Sequence, residues 1–266
     1  MPKGALGSLL KSAAERVTAL RAQEPWLEAV AGVAARGPSF AAALRAGGSV
    51  AVIAEIKRRS PSQGAIAPAL SAEDQAKAYA SGGAAAISVL TEPTQFGGAL
   101  ADLDAARAAG VPMLRKDFVV DRLQLLEAVA HGASAALLIV RALDPARLAA
   151  LHAEGTALGL AMLVEVHDDP ELDQALRAGY PLLGVNNRNL ETLEIDPAAC
   201  ERMIPRVPAG TIAVYESGVQ ARADVARAAA LGADAVLVGT ALSQRPDPVA
   251  AVRELAGVPR HGRNAS

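Results

Sequence analysis

Cysteine, aromatic residues and lysine are all scarce in this chain of 266 residues. The one cysteine, Cys200, cannot form an internal disulfide, which excludes a disulfide-stapled scaffold and predicts a reducing, cytoplasmic setting. Aromatics make up only 3% against 52% hydrophobic residues, so alanine, valine and leucine must fill the core. No apolar run approaches the roughly 18 uncharged residues of a membrane-spanning helix. Lys11, Glu15 and Arg16 interrupt the first apolar residues, so no signal peptide is expected. A net charge of −2 gives no global attraction to nucleic acid or to anionic membrane.

Of the 26 Lys and Arg residues only five are lysine, and two of these, Lys57 and Lys116, close the hydrophobic runs 50–57 and 111–116. Arginine is the default cation here, so a lysine at a strand end has a reason. A desolvated ammonium can give up its proton near neutral pH, whereas a guanidinium effectively cannot.

From residue 50 onward, short apolar runs alternate with Ala-rich stretches of helical length. The runs are 50–56, 84–90, 111–116, 135–140, 160–166, 182–187, 211–216 and 234–239. Most are continuously apolar, as strands buried on both faces should be. Several follow a glycine suited to a helix C-terminus, such as Gly110, Gly132, Gly179 and Gly232. Segments 71–81, 99–109, 121–131 and 221–231 are long enough for helical crossovers.

Eight such units predict a single α/β domain, a (β/α)8 TIM barrel over 49–256, rather than an open doubly wound sheet. The similarity of 82–90, 132–140 and 232–239 favours repeated units. Residues 1–48 read as a helical extension packed on the barrel. Leu6, Leu9, Leu10, Val17 and Leu20 share one helical face, and Pro25 can open a second helix. The tail 257–266 reads as frayed.

In a barrel of this type, polar side chains at C-terminal strand ends build the active site. Those ends carry Glu55 and Lys57, Lys116, Glu165, Asn186 and Arg188, and Glu216 with Ser217. Glu55 and Lys57 are two apart and share a side of their strand, as do Asn186 and Arg188. One such residue alone is an ordinary rim residue; convergence from five strand ends indicates function.

Ser217-Gly218 and Gly239-Thr240 follow the last two strands, the usual phosphate position of the fold. They predict a phosphorylated small-molecule substrate. The loop 58–64 is dense in donors, with Gly64 as a hinge. His131, His152, His167 and His261 are scattered without metal-site pairing, and Cys200 reads as structural. No metal or other cofactor is expected.

These residues resemble the indole-3-glycerol-phosphate synthase family. The run Glu55-Ile56-Lys57-Arg58-Arg59-Ser60-Pro61-Ser62-Gln63-Gly64 is similar to its first-strand signature. Arg115-Lys116-Asp117-Phe118, Leu163-Val164-Glu165-Val166, Gly184-Val185-Asn186-Asn187-Arg188-Asn189-Leu190 and Glu216-Ser217-Gly218-Val219 follow in the family's order. The resemblance runs from about residue 38 to 243.

It implies a lyase of tryptophan biosynthesis that converts 1-(2-carboxyphenylamino)-1-deoxyribulose 5-phosphate to indole-3-glycerol phosphate, CO2 and water. Lys116 is then the general acid for ring closure and Glu165 the general base. Lys57 binds substrate anions or acts as a second acid, and Glu55 orients one of the lysines. Asn186 and Glu216 hold the ketose hydroxyls and the anilino nitrogen. Arg188 and Ser60 take the carboxylate, and Ser217, Gly218, Gly239 and Thr240 the phosphate. Phe118, Leu137, Leu190 and Leu237 bed the aromatic ring.

The chain departs from the family pattern at Ala99, where serine is frequent and a helix cap is expected to weaken, and at Asn189, which replaces an aspartate. A phosphoribosylanthranilate isomerase would need a differently placed acid–base pair, and a ligand sensor should have lost an acid or a base. A monomer or weak homo-oligomer without nucleic-acid or membrane partners is expected, association with other tryptophan-pathway enzymes being left open.

Overall fold

In the computed structural model, residues 4–60, 64–65, 71–190 and 192–263 are described. Eight parallel strands close into a barrel: β1 (Ala51–Ile56), β2 (Ala86–Leu90), β3 (Met113–Lys116), β4 (Ala135–Ile139), β5 (Ala161–Val166), β6 (Leu182–Asn186), β7 (Ile212–Glu216) and β8 (Ala235–Val238). Each pairs with its sequence neighbour, and β1 closes the ring against β8. The eight apolar runs of the sequence each contain one of these strands.

Alternation within the strands divides the core in two. Inward residues such as Ile53, Leu114, Leu163, Val214 and Leu237 fill the barrel. Their outward neighbours, among them Val52, Ile87, Val164, Val185 and Val236, pack against the surrounding helices. Both sets are nearly waterless, which is why the strands read as unbroken apolar runs. The glycines between helix and strand take left-handed backbone, with φ of 69° at Gly110 and 70° at Gly179.

Three helices precede the barrel: α1 (Gly4–Leu20), α2 (Glu24–Val33) and α3 (Phe40–Arg45). Leu6, Leu9 and Leu10 of α1 belong to the same apolar cluster as Phe118 at the barrel mouth, and so do Phe40 and Leu44 of α3. Phe40 and Leu44 are wholly enclosed. Pro25 sits in the first turn of α2, where its missing N–H costs nothing.

The end of the chain corrects the sequence reading. Residues 257–263 are not frayed: Val258 is buried, its carbonyl accepts from Val50 N at 2.8 Å, and Pro259 bridges Ser49. Arg260 donates to Gly47 O, and Arg263 pairs with Asp234 at 2.8 Å while also donating to the Gly232 and Thr211 carbonyls. Polar composition hid a strap made of arginine-to-backbone bonds. Residues 264–266 of the predicted tail lie outside the described residues.

Two family departures have local answers. The helix α4 after β2's loop (Ala101–Ala106) has no side-chain N-cap, as Ala99 predicts, but Asp102 Oδ2 reaches back to accept from Ala99 N at 3.2 Å. Asn189 keeps a turn-forming role, since its Oδ1 accepts from Thr192 N at 3.2 Å.

Candidate active site

The C-terminal ends of the strands surround a cavity of about 160 Å³. Register brings its polar groups together, with Asn186 beside Glu216 across β6 and β7 and Glu165 beside Gly184 across β5 and β6. Glu55, Lys57, Lys116, Phe118, Glu165, Asn186, Arg188, Leu190, Glu216, Ser217, Gly218, Leu237, Gly239 and Thr240 all line it, as does Leu137. Ser60 instead lines an adjoining recess with Lys57, Phe118, Arg188 and Leu190.

Lys116 Nζ lies 3.5 Å from Glu165 Oε2 and 3.9 Å from Glu216 Oε2. Burial alone would make its ammonium more acidic, but Glu165, Glu216 and Glu55 outweigh that and hold its pKa above the ordinary lysine range. Burial would likewise raise Glu165, yet Lys116 and His167 keep it well below the usual carboxylate range. Glu216 goes the other way: burial, then the neighbouring Glu165 carboxylate, push it well above that range. Neither Glu216 oxygen has a hydrogen-bond partner among the described residues. The two shifts run in opposite directions, favouring the ionised form of Glu165 and the neutral form of Glu216, an arrangement that suits one to accept a proton and the other to donate a hydrogen bond.

Glycine makes room where these carboxylates sit. A Cβ on Gly184 would overlap Glu216 Oε1, and one on Gly239 would overlap Glu55 Oε1. Lys57 Nζ lies 3.3 Å from Glu55 Oε1, as their shared strand side predicts.

The β7 turn is held in a conformation that side chains rarely adopt, with φ of 66° at Ser217 followed by Gly218 at 91°. Ser217 Oγ donates to Asn186 Oδ1 at 2.8 Å, and Asn187 Nδ2 donates to Ser217 O at 3.0 Å. Those bonds hold a residue whose strain is of order 1–3 kcal/mol. Asn186 Oδ1 also accepts from Arg188 N at 2.9 Å, so one amide ties the strand-6 and strand-7 motifs together. Gly239 leads into a short helix, Thr240–Ser243.

The donor-rich loop is partly accounted for. Arg58 makes a two-pronged pair with Asp102, one arm at 2.8 Å, and Arg59–Ser60 form a ribbon with Gly64–Ala65. Pro61, Ser62 and Gln63 lie outside the described residues.

Sequence reasoning passed over three groups. Asp117, fully enclosed beside Lys116, accepts from both arms of Arg16 at 2.8 Å and from Arg115 at 3.1 Å. Burial opposes its charge, but Arg16 and Arg115 with Thr91 hold it well below the carboxylate range. His167, read as scattered, stands 3.0 Å from Glu165; its position two residues beyond Glu165 was the available signal. Leu90 and Ile139 join the cavity wall as inward residues ending β2 and β4. Cys200 is buried, and burial raises its thiol far above the ordinary range, so it stays unreactive.

Fold and cavity together define a (β/α)8-barrel protein with its polar cluster at the C-terminal mouth. The M. tuberculosis tryptophan synthase structure superposes with a TM-score of 0.63 at 20% identity, over 86% of this chain and 100% of that one. The 3-hexulose-6-phosphate synthase of Salmonella typhimurium gives 0.61 at 16%, over 77% and 96%. At such identities the likeness concerns the barrel alone.

Sequence comparison is narrower. The model of the indole-3-glycerol phosphate synthase family matches residues 6–255. A relative of that name from Parafrankia sp. is 49% identical over 248 residues, 93% of this chain and 91% of the relative. Another from Mycobacterium ulcerans is 46% identical over 263 residues, 98% and 96% of the two chains. The chain belongs to the indole-3-glycerol phosphate synthase family. Its activity is that of a carboxy-lyase of tryptophan biosynthesis, acting on a small phosphorylated substrate. No helix among the described residues is long and apolar enough to cross a membrane.

Proposed function

We propose that the cluster at the barrel mouth performs each chemical step of the synthase reaction. The observation that carries this reading is Lys116 set between Glu165 and Glu216, in the same cavity as the Ser217-Gly218 and Gly239-Thr240 turns. The turns hold the phosphate, Arg188 and Ser60 the carboxylate, and Phe118 with Leu137, Leu190 and Leu237 the aromatic ring. Asn186 and Glu216 hold the ketose hydroxyls and the anilino nitrogen.

In ring closure, the ring carbon bearing the carboxylate attacks the ketone carbon. The carbonyl electrons move to oxygen, which takes a proton from Lys116. An alkoxide is a stronger base than an amine, so transfer runs downhill even from an ammonium made less acidic by its neighbours. CO2 then leaves, its bonding electrons returning to the ring. The hydroxyl departs as water with a proton from a second acid, for which Lys57 is placed, and Glu165 removes the last proton to complete the indole. Glu55 holds Lys57 in position.

We infer a cytoplasmic location, which the lone, buried thiol supports, and a monomer or weak homo-oligomer, which sedimentation at working concentration tests. The chemical reading is tested by mixing the protein with the carboxyphenylamino-deoxyribulose phosphate, without added metal or cofactor, and following indole fluorescence. Product formation that disappears in Lys116→Ala supports it. Binding without product in the unmodified protein would overturn it.

A further inference from the structure

Glu165 is buried at the cavity wall, and each of its oxygens faces a charged protein group. Oε2 faces Lys116 at 3.5 Å. Oε1 faces Nε2 of His167 at 3.0 Å, at an angle that makes this a charge contact rather than an aligned hydrogen bond. The other ring nitrogen, Nδ1, lies 3.2 Å from Glu171 Oε2, and the His167 side chain is 2% exposed. An imidazole with a carboxylate beside each nitrogen is favoured in its protonated, cationic form.

Glu171 is itself fixed. It accepts from Arg141 Nε at 2.6 Å and from His167 N at 2.8 Å, while Arg141 also reaches Asp168 at 3.0 Å. Asp168 caps the helix Asp169–Ala178, on which Glu171 lies, by accepting from Glu171 N at 3.0 Å. A chain of charge thus runs from a partly exposed arginine, through Glu171 and His167, to one oxygen of Glu165. Lys116 does not supply this constraint, because its ammonium is shared with Glu216.

We propose that His167 is a positioning residue for the base Glu165: it anchors one carboxylate oxygen and leaves the oxygen on the Lys116 side for the substrate proton. The inference rests on the reading of Glu165 as the base. The charged groups facing Glu165 are Lys116 from β3, Glu216 from β7 and His167; those facing His167 are Glu165 and Glu171, with Arg141 behind the latter. Glu165 and Glu171 also hold the imidazole in its charged form against the opposing effect of burial. When Glu165 takes the proton, the substrate C–H electrons enter the new ring double bond, and the anchored oxygen stays with His167.

The test is the pH profile of kcat/KM for the unmodified protein, His167→Gln, His167→Phe and Glu165→Gln. Gln keeps a neutral donor of similar reach; Phe keeps the ring and guards against a failure of either variant to fold. Loss of the cation should raise the pKa of Glu165, so that an acid limb lying below the range of the folded unmodified protein moves up into the pH range where the variants are still folded. Above that limb kcat falls about tenfold, with less loss in His167→Gln than in His167→Phe, and KM changes little. His167→Phe added to Glu165→Gln costs nothing further. If Glu165→Gln is inactive but the limb does not move in either His167 variant, His167 only packs and the inference fails alone. If Glu165→Gln remains active, the base assignment fails and takes the inference with it.

Discussion

Arg16 grips Asp117 with both arms, each at 2.8 Å, and Asp117 is the residue after Lys116. A helix outside the barrel therefore holds the strand end that presents the acid. The carboxylate is fully enclosed, whereas the guanidinium is a quarter exposed. Removing Arg16 leaves Asp117 with Arg115, Thr91 and the Phe118 amide. Arg16→Met is expected to cost about 2 kcal/mol and to lower kcat more than it changes KM. Chemical denaturation and steady-state rates check both.

Acid sensitivity follows from the same groups. Asp117 and Glu165 have folded-state pKa values depressed below their unfolded values. Their contribution is fully present above the unfolded carboxylate range, about pH 4, and is lost as pH falls through the depressed values. The unmodified protein should lose stability steeply below about pH 4. Asp117→Asn should flatten that dependence, as read from unfolding curves across pH 2 to 6 (roughly the carboxylate window).

Glu216 shifts the other way: burial and the Glu165 carboxylate favour its neutral form. Glu216→Gln replaces a neutral group by a neutral one, so stability should change little and turnover should fall by about tenfold or less. Glu165→Gln removes the base and should cost about 10²–10⁴ in rate. Equal losses in the two variants would contradict the division of the pair.

The barrel interior leaves Glu216 room only because residue 184 has no side chain. Gly184→Ala should displace the Glu216 carboxyl, lowering turnover about tenfold with a smaller cost in stability, about 1 kcal/mol. Thermal unfolding and initial rates measured together decide this.

Lys116→Arg keeps the charge but not a useful proton. It should retain substrate binding and lose about 10²–10⁴ in turnover. Single-turnover fluorescence separates the two effects.

How much of this was legible in the sequence depended on the range of the interaction. The strands could be read because both faces are dry and the period of two then disappears into apolar runs. The catalytic cluster could be read because strand parity puts Glu55 with Lys57 and Asn186 with Arg188. Arg16 and Asp117 are far apart in sequence, and no local pattern joins them. His167 lay two positions past a residue already singled out, but a search for metal ligands looks for histidines in company with each other rather than with a glutamate. The tail misled because its arginines bind backbone carbonyls, and a carbonyl leaves no trace in composition.

The bridge between Ser49 and Pro259 places the chain's entry into the barrel beside its exit. Arg263 continues below, against residues that precede β7 and β8, on the side away from the cavity. A second domain tethered after Arg263 would hang from the floor of the barrel and leave its mouth uncovered. The N-terminal helix ends up on the other side, since Ala5 and Leu9 line the recess at the mouth, so the Ser49–Pro259 bridge ties the extension's last residues to the floor while its first residues reach the cavity's edge.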